Sequence, residues 1–431
     1  MNKKLKILII GAGGGREHAL GWKVAQSPRA GQLFFARGNA GTAQIGTNLD
    51  IKETDIPALL EFAKNEKIDL TLAVSDDPLA LGIVDSFQAE NLRIWGSTKA
   101  ASELEWSKAY AKDFMKRQNI PTARYEVFTD FEKAKTYVEK GKLPIVIKAS
   151  GLALGKGVTV AQTKEEAFKV LKKILVDKIF GSSGNEVVIE EYLSGTEISI
   201  HAVSDGTSWK LFPVSQDHKR IFDDDAGPNT GGMGVIAPTL FVDEVLMARI
   251  EKEIITPTIG GMTKEGRPFV GILYPGIMLT DEEPKVFEFN TRFGDPETES
   301  YVRLLETDIL DIFDACIDGT VKDLKIKWSE ISACTVMLAS GGYPGSYEKG
   351  KVISGMDEAE KNPDVVVFHA GTKINEKGDL VTNGGRVLGV SAVGENLEQA
   401  LATAYDAISK INFEGMQYRK DIGKKALAFQ K

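Results

Sequence analysis

The beginning of the chain constrains its fold more than any other part of the sequence. Residues Leu5–Ile10 are apolar apart from Lys6, and the glycine-rich turn Gly11–Gly15 leads into a predicted helix, Arg16–Gln26. A strand that is apolar along its length is typical of a parallel sheet covered on both faces. Further strand–helix units follow, so we predict a doubly wound parallel sheet in residues 1–100. Its other predicted elements are strands Leu33–Ala36, Asp69–Val74 and Leu92–Trp95 and helices Asp55–Asn65 and Leu79–Gln88.

The pattern changes after this region and predicts two further units. A helix at Ser102–Gln118 precedes a β-β-α-β-β order, which is α+β in character. We predict a second unit at residues 101–325, with a mobile subdomain at residues 121–193, and a small C-terminal α+β unit at residues 326–431. The remaining predicted elements are strands Pro144–Ala149, Gly157–Ala161, Glu186–Glu190 and Glu197–Ser204, helices Lys164–Leu175 and Asn396–Lys410, and a mobile loop Phe212–Pro238.

Composition and charge argue against several classes of function. The 431 residues carry a net charge of −8, whereas nucleic-acid surfaces concentrate Lys and Arg. Apolar runs are shorter than the roughly 20 residues that cross a bilayer, and the N-terminus lacks a secretory core, so we expect a cytoplasmic protein with no membrane partner. Cys316 and Cys334 are too few for a disulfide framework, and we expect both to be reduced and structural.

The glycine turn after the first strand has two interpretations. Gly13, Gly14, Gly15 and Arg16 open a helix, where backbone N–H groups favour anions. The third glycine of a dinucleotide fingerprint is replaced by Arg16, and no acidic residue ends the second strand, which argues against nicotinamide binding. A phosphate or ribose-phosphate site is one interpretation, and a tight turn that only packs helix on strand is the other.

A second glycine-rich loop, Ser150–Gly157, joins two predicted strands. It differs from the phosphate loop of ordinary ATPases, because only three residues separate Gly151 from Gly155 and Gly157 occupies the Ser/Thr position. A flap between antiparallel strands can still cover a triphosphate with its N–H groups, while Lys148 supplies positive charge. A plain hairpin is the alternative interpretation.

The predicted strand Lys285–Asn290 carries residues that suit a divalent cation. Strand periodicity places Glu288 and Asn290 on one face and Phe287 and Phe289 on the other. Two hard oxygen ligands suit Mg²⁺, which keeps its other positions for phosphates and water. An amphipathic edge strand without a metal is the alternative.

Other polar segments add to a predicted ligand site. Gln216–Arg220 concentrates positive charge, and the glycines of Gly227–Gly234 allow backbone to approach a ligand closely. Lys219 and Arg220 can neutralise a phosphate or a developing charge. The strand end Glu190–Leu193 can present backbone groups to an adenine edge, although charged strand ends are usually only solvated.

Together, the strand–loop–strand Lys148–Val160, the strand end Glu190–Leu193 and the segment Glu288-Phe289-Asn290 resemble the ATP-grasp ligases. Within them the chain resembles the phosphoribosylamine–glycine ligase family nearly from end to end. The most specific segments are Gly13–Leu20, Gln216–Arg220, Gly227–Gly234, Phe289–Thr298, Ala339–Tyr347 and Thr382–Gly389. The resemblance implies an N-terminal α/β domain, an ATP-grasp unit with a mobile flap, and a small C-terminal domain.

The resemblance also implies an activity: ATP-dependent ligation of glycine to 5-phosphoribosylamine through glycyl phosphate, in purine biosynthesis. It implies Mg²⁺ or Mn²⁺ ligands at Glu288 and Asn290, and catalytic roles for Asp217, Lys219, Arg220 and Arg292. Implied ATP-binding residues are Lys148, Ser150, Gly151, Gly155, Lys156, Gly157, Glu190, Glu191, Tyr192, Leu193 and Glu197. Implied contacts to glycine and phosphoribosylamine are Gly13, Gly14, Gly15, Arg16, Asn229, Gly231, Gly232 and Asp295.

Two departures from the family pattern bear on phosphoribosylamine recognition. Ser75-Asp76-Asp77 stands where family members usually carry Gly-Pro-Glu, and Gly96-Ser97 stands where they carry Gly-Pro. The alternatives are another ATP-grasp enzyme, such as an N5-carboxyaminoimidazole ribonucleotide synthase or a biotin carboxylase, and a non-catalytic nucleotide-binding subunit. We expect a monomer, with a dimer as the alternative.

Overall fold

A computed structural model of the chain describes residues 3–153 and 157–429. Its first part contains β1 (Leu5–Ile10), α1 (Gly15–Ala25), β2 (Ala30–Ala36), α2 (Thr42–Ile45), β3 (Thr47–Asn48), α3 (Ile56–Glu66), β4 (Leu70–Ala73), α4 (Asp76–Leu81), α5 (Ile83–Ala89) and β5 (Ile94–Trp95). The five strands form a parallel sheet in the order β3-β2-β1-β4-β5. The predicted doubly wound parallel sheet is therefore confirmed.

Both faces of strand β1 are covered, which explains why its sequence is almost wholly apolar. Ile7 and Ile9 pack in one core cluster with Leu20 of α1. Leu8 and Ile10 pack in another cluster on the opposite face, with residues of α3, α4 and α5. The carboxyl ends of these parallel strands lead into the turns that reach the candidate site.

The second part begins with α6 (Glu103–Trp106), α7 (Lys108–Gln118), β6 (Tyr125–Phe128), α8 (Phe131–Lys140), β7 (Ile145–Ala149), β8 (Val158–Ala161), α9 (Lys164–Leu171) and β9 (Val187–Glu191). The strands form an antiparallel sheet in the order β6-β9-β7-β8. Its apolar core contains buried residues from Ala134 to Ile189 only. This small body therefore has a core of its own, and it carries the glycine-rich loop between β7 and β8.

A second sheet of the same part forms the floor beneath that body. The remaining strands and helices of this part are β10 (Thr196–Ser199), β11 (Ala202–Asp205), β12 (Trp209–Leu211), β13 (Gln216–Asp217), β14 (Arg220–Phe222), β15 (Ala226–Asn229), β16 (Gly234–Ala237), α10 (Glu244–Ile250), α11 (Thr256–Lys264), β17 (Val270–Leu279), β18 (Pro284–Asn290), α12 (Glu297–Leu304) and α13 (Ile309–Asp318). The strand order of this second sheet is β10-β17-β11-β12, and β18 pairs with β17. Strands β14 and β15 form a separate hairpin.

The C-terminal part completes a further sheet with strands from earlier in the chain. It contains β19 (Ser332–Ala339), α14 (Met356–Ala359), β20 (Val365–His369), β21 (Thr372–Ile374), β22 (Leu380–Thr382), β23 (Arg386–Gly394), α15 (Leu397–Ile408) and α16 (Lys424–Phe429). The sheet order is β13-β16-β19-β23-β20. Residues before the predicted boundary at 325/326 thus pair with strands after it, and the exact domain bounds stay a prediction.

Several predicted elements are divided in the structure. The predicted helix Leu79–Gln88 becomes α4 and α5 because Gly82 adopts a left-handed conformation with φ of 89°. The predicted helix Ser102–Gln118 breaks at Ser107, whose hydroxyl caps α7 by accepting from the Tyr110 N–H. The predicted strand Glu197–Ser204 becomes β10 and β11, which pair with different stretches of β17. The predicted loop 212–238 contains the short strands β13 to β16.

Helix length also bears on membrane association. Across residues 3–153 and 157–429, none of the helices combines the length and the apolar character that crossing a membrane requires.

Candidate active site

A cavity of about 580 Å³ opens between the parts of the chain. Its wall contains residues from the glycine turn after β1, from α7, from strands β7, β8 and β9, and from strands β17 and β18. Tyr343 and Arg386 extend the wall into the C-terminal part. Clefts between structural units are common ligand sites, because convergent polar groups can line an apolar recess.

Strand β18 brings Glu288 and Asn290 to the cavity, as strand periodicity predicts. The register with β17 shifts at Phe287, which is an extra residue in a β-bulge. The prediction for Phe287 is therefore wrong: it lines the cavity and is not part of the core cluster, whereas Val286 and Phe289 belong to that cluster and Phe289 also reaches the cavity wall. The bulge allows Val286 and Phe289 to face the same core despite their odd spacing.

Arg292 is fixed beside this strand by two contacts. Its Nη2 donates to Oδ1 of Asn290 at 2.9 Å and lies 2.8 Å from Oε1 of Glu105. The other oxygen of Glu105 accepts from the N–H and hydroxyl of Thr291 at 2.8 and 3.0 Å. Burial raises the pKa of Glu105, while Arg292 acts in the opposite direction. The guanidinium is thus held in place at the end of β18.

A buried group of lysines lines another side of the cavity. Lys148 Nζ lies 2.9 Å from Oε1 of Glu190, and Lys112 Nζ lies 3.0 Å from Oε2 of the same carboxylate, with every one of these side chains 6% exposed or less. Burial, together with the like charge of Lys148, lowers the pKa of Lys112 to about 8. Burial also lowers the pKa of Lys108, which donates to the Gly151 carbonyl. Lys112 and Lys148 share the single carboxylate of Glu190, so this side of the wall suits an anionic ligand.

Lys219 occupies a third side of the cavity within a hydrogen-bonded group. Its Nζ lies 2.5 Å from Oδ2 of the buried Asp217. The Tyr274 hydroxyl donates to Oε1 of Glu297 at 2.5 Å. Burial disfavours the charge on Lys219, but Asp217, Tyr274 and Glu297 raise its pKa well above the usual value. These neighbours therefore favour the charged form of Lys219.

In the glycine turn after β1, two backbone N–H groups donate hydrogen bonds to carboxylates of the chain. The Gly14 N–H donates to Oε2 of Glu17 at 2.6 Å, and the Arg16 N–H points to Oδ2 of Asp295 at 3.4 Å. The Arg16 guanidinium donates to Oε1 of Glu17 and to the Phe293 carbonyl. These contacts pair the Gly14 and Arg16 N–H groups within the chain, and the backbone of the turn also lines a smaller chamber beside the cavity.

Most of the predicted site residues line this one cavity. They are Gly14, Arg16, Lys148, Gly157, Glu190, Glu191, Tyr192, Leu193, Glu197, Lys219, Asn229, Gly231, Glu288, Asn290, Arg292 and Asp295. Among the residues that the structure describes, those outside its wall are Gly13, Gly15, Ser150, Gly151, Asp217, Arg220 and Gly232. Gly155 and Lys156 lie outside the described residues.

The predicted residues behind the wall hold neighbouring elements together. The Ser150 hydroxyl accepts from the Ala109 N–H at 3.1 Å, which ties β7 to the start of α7. The Arg220 side chain donates to the Gly227 carbonyl at 2.6 Å, across the hairpin β14–β15. In these positions, both side chains have structural contacts instead of facing the cavity.

The wall also contains residues that the sequence analysis did not assign to the site, namely Asp76, Glu105, Lys108, Lys112, Tyr274, Glu297, Tyr343 and Arg386. A signal existed for Lys108 and Lys112, because residues four apart share one face of a helix. Asp76 belongs to the segment that departs from the family pattern. Arg386 reaches the wall from β23 and pairs with Asp295 at 2.9 Å, a contact that no local pattern indicates.

Comparison with known proteins accounts for this arrangement. Sequence profiles of phosphoribosylglycinamide synthetase match in three consecutive stretches: the N domain at residues 5–105, the ATP-grasp (A) domain at residues 106–298 and the C domain at residues 333–425. The chain belongs to the phosphoribosylglycinamide synthetase family. Within this family it is 48% identical over 424 residues to phosphoribosylamine–glycine ligase from Halalkalibacterium halodurans, with 98% of each chain covered.

Solved structures agree with membership of the phosphoribosylglycinamide synthetase family. The crystal structure of phosphoribosylamine–glycine ligase from Thermotoga maritima matches with a TM-score of 0.84 and 36% identity, covering 97% of this chain and 100% of that one. Biotin carboxylase from Campylobacter jejuni matches with a TM-score of 0.72 and 13% identity, covering 96% and 93%. The second likeness shows the fold alone. The predicted family and the ATP-grasp ligase class are thus confirmed.

Proposed function

We propose that this family member ligates glycine to 5-phosphoribosylamine at the expense of ATP, giving glycinamide ribonucleotide, ADP and phosphate in purine biosynthesis. The observation that carries the proposal is the family match across all three parts of the chain. Relatives that match along almost their whole length are named phosphoribosylamine–glycine ligases. The cavity supports the proposal because its wall combines cations with hard oxygen ligands.

The nucleotide is assigned to the side of the cavity between β9 and the loop after β7. Lys148, Lys112 and Lys108 offer a surplus of positive charge to the phosphates. The strand end Glu190–Leu193 and Glu197 are assigned to the adenosine, where backbone groups and a carboxylate suit the adenine edge and the ribose hydroxyls. Ser150, Gly151 and Gly157 belong to the flap, and the roles of Gly155 and Lys156 stay predictions from the sequence.

A divalent cation, Mg²⁺ or Mn²⁺, is assigned to Glu288 and Asn290. The donor set fits, because both residues line the cavity and offer hard oxygen atoms. In the part of the chain that the structure describes, no group of three or more His, Cys, Asp or Glu residues could hold a metal alone. This agrees with a site that two protein oxygens share with phosphates and water. When bound, the ion would supply charge neutralisation for the phosphates.

The first step would make glycyl phosphate. A carboxylate oxygen of glycine attacks the γ-phosphorus of ATP, and the bond from that phosphorus to the bridging oxygen breaks to release ADP. The protein would contribute positioning and charge neutralisation, so no protein nucleophile is required. Arg292, held by Glu105, and Lys219, held by Asp217, are the cations assigned to the transferred group.

The second step would join the two substrates. The amine nitrogen of phosphoribosylamine attacks the acyl carbon, the bond from that carbon to the phosphate oxygen breaks, and phosphate leaves while the amine loses a proton. Water would hydrolyse the acyl phosphate if the cavity stayed open. The small body of β6 to β9 has its own core, which supports its assignment as a cover that closes during turnover.

Release of ADP by the purified protein tests the proposal. The protein is incubated with Mg-ATP, glycine and phosphoribosylamine, and each component is omitted in turn. We expect ADP only in the complete mixture, together with glycinamide ribonucleotide by mass spectrometry. ADP formation with a different carboxylate or amine would favour another ATP-grasp ligase. Nucleotide binding without any turnover would favour a non-catalytic subunit.

The proposed setting follows from this chemistry. The substrates are small phosphorylated or zwitterionic molecules, so we propose a cytoplasmic enzyme without nucleic-acid or membrane partners. Monomeric assembly remains our prediction, and sedimentation velocity would distinguish it from a dimer.

A further inference from the structure

A second chamber of about 380 Å³ adjoins the main cavity. It lies between the turns that follow β1 and β2 and the C-terminal segments around β20, β21 and β22. The two spaces share wall residues, namely Ala12, Gly14, Asp295, Tyr343 and Arg386. A single ligand can therefore extend from one chamber into the other.

The chamber concentrates positive charge in a chain whose net charge is −8. Arg37 and Lys349 line it from opposite ends of the sequence. Arg37 has only a long contact, 3.4 Å from Oε2 of Glu53, and its side chain is 51% exposed. The third cation, Arg386, is already balanced, because it pairs with Asp295 at 2.9 Å and donates to the Asp295 carbonyl. Arg37 and Lys349 thus remain available to a ligand.

Glycines form much of the remaining wall of this chamber. They are Gly13, Gly14, Gly38, Gly371 and Gly384. A Cβ on Gly371 would lie 2.5 Å from the Gly384 Cα, and one on Gly38 would lie 1.8 Å from Oδ1 of Asn48. Side chains are therefore excluded at these positions, and the polar backbone borders the space. Two cations in a small chamber bordered by glycines suit a compact anion with several oxygen atoms, such as a phosphate monoester.

We propose that this chamber binds the 5-phosphate of phosphoribosylamine, with Arg37 and Lys349 as its ligands. The inference rests on the proposed function. Phosphate and amine lie at opposite ends of the ribose, so a phosphate held here directs the amine into the main cavity, where the acyl phosphate would form. Arg37 belongs to the first part of the chain and Lys349 to the C-terminal part, so the phosphate would bridge the two.

Steady-state kinetics of Arg37→Gln, Lys349→Gln and the double variant test this assignment. Loss of a charge-assisted contact should raise KM for phosphoribosylamine about tenfold per residue, with KM for ATP and for glycine unchanged. Lys351→Gln is the matched control, because Lys351 is on the same segment but pairs with Glu348 and Glu414. Inorganic phosphate should compete with phosphoribosylamine in the wild type and lose potency in the double variant. An unchanged KM for phosphoribosylamine in the folded double variant would overturn the proposal.

Direct binding separates this inference from the proposed function. Titration calorimetry with ribose 5-phosphate, and with ribose as the unphosphorylated control, requires no turnover. The wild type should bind ribose 5-phosphate at least about tenfold more tightly than the double variant and should not bind ribose measurably. If the wild type forms no ADP yet shows this pattern, the ligase activity fails while the phosphate site stands. Equal binding by the wild type and the double variant would eliminate the site, whatever the activity.

Discussion

Charge at individual residues determines which ligands the cavity can receive. Lys112 and Lys148 share the single carboxylate of Glu190 in a place that water barely reaches. Burying an ammonium group without a full partner is costly, and that cost falls when a phosphate supplies the missing negative charge. The proposed nucleotide would therefore stabilise this part of the wall when it binds.

The buried Lys112 gives a pH-dependent stability. Its pKa of about 8 lies below the value of 10.5 for a free lysine, so the unfolded chain binds more protons between these two pH values. The free energy of unfolding contributed by this residue must then rise with pH across that window. In urea unfolding, the stability of the wild type relative to Lys112→Met should increase from pH 8 towards pH 10.5. A difference that stays constant with pH would show that Lys112 is not desolvated.

Glu288 is the residue whose loss should affect turnover most directly. Glu288→Gln keeps the size and removes the charge that would hold the cation, so we expect kcat to fall by about a hundredfold or more. The matched control is Glu282→Gln, in the turn before β18, where the side chain is 82% exposed. Circular dichroism should report an intact fold for both. Near-normal turnover of Glu288→Gln would remove this residue from the metal site.

Residue-scale predictions from the sequence succeeded where they depended on local spacing. Glu288 and Asn290 reach the cavity because they are two apart within a strand. Phe287 was misplaced because a bulge depends on the register with β17, which is a property of two strands. Arg386 was missed for a similar reason, since its contact with Asp295 joins distant parts of the chain.

At the scale of elements, the hairpin β14–β15 is fastened by the C-terminal segment. Arg419 is 1% exposed, pairs with Asp225 at 2.8 Å and with Asp421 at 2.7 Å, and donates to the Arg220 carbonyl. The buried guanidinium is thus the shared ion-pair partner of the two carboxylates. Arg419 therefore holds the hairpin in position, although it lies 199 residues after Arg220 in the sequence.

Replacing Arg419 should loosen this attachment. Arg419→Met removes the bonds of a buried guanidinium to Asp225, Asp421 and the Arg220 carbonyl, and we expect it to lower the free energy of unfolding by about 2 kcal/mol in urea. Lys424→Met is the control, because its pair with Asp224 is exposed on both sides and should contribute no more than about 0.5 kcal/mol. Equal effects of the two substitutions would contradict the structural role of Arg419.

Element boundaries were predictable where a pattern ended with a distinctive residue. The strand before the glycine turn and the helix after it follow from the first apolar run. The breaks at Gly82 and Ser107 were missed because the apolar pattern continues across them, and a left-handed glycine or a serine cap decides the break. The division of β10 from β11 depends on their separate pairing with β17.

At the scale of the whole molecule, the distribution of the cores predicts which part moves. One large cluster joins Ile7 of the first sheet, Phe313 of α13 and Val393 of the C-terminal sheet. The body of β6 to β9 instead has a core that contains only its own residues. A body with an independent core can rotate without exposing the core of its neighbours.

Hydrogen exchange should therefore distinguish the β6–β9 body from the remainder. We expect its backbone amides to exchange faster than those of β1, β4 and β19 in the free protein. Addition of Mg-ADP should slow exchange in β7, β8 and β9, because the nucleotide would hold the body against the floor of the cavity. Uniform protection that nucleotide leaves unchanged would contradict a mobile cover.

The overall architecture was predictable because each part has its own alternation of elements. The parallel first sheet follows from repeated strand–helix units, and the central part from its β-β-α-β-β order. The sheet β13-β16-β19-β23-β20 was not predictable, because β16 pairs with β19 across the predicted domain boundary. Pairing between strands that are distant in sequence depends on how the whole chain packs. A local sequence pattern therefore does not predict it.

The central claim is that the chain activates glycine as an acyl phosphate, and isotope transfer tests it most directly. Glycine labelled with ¹⁸O in its carboxylate is incubated with the protein, Mg-ATP and phosphoribosylamine, and the released phosphate is analysed by mass spectrometry. The account predicts phosphate that carries one ¹⁸O atom, in an amount equal to the glycinamide ribonucleotide formed. Unlabelled phosphate accompanying that product would contradict glycyl phosphate as the intermediate.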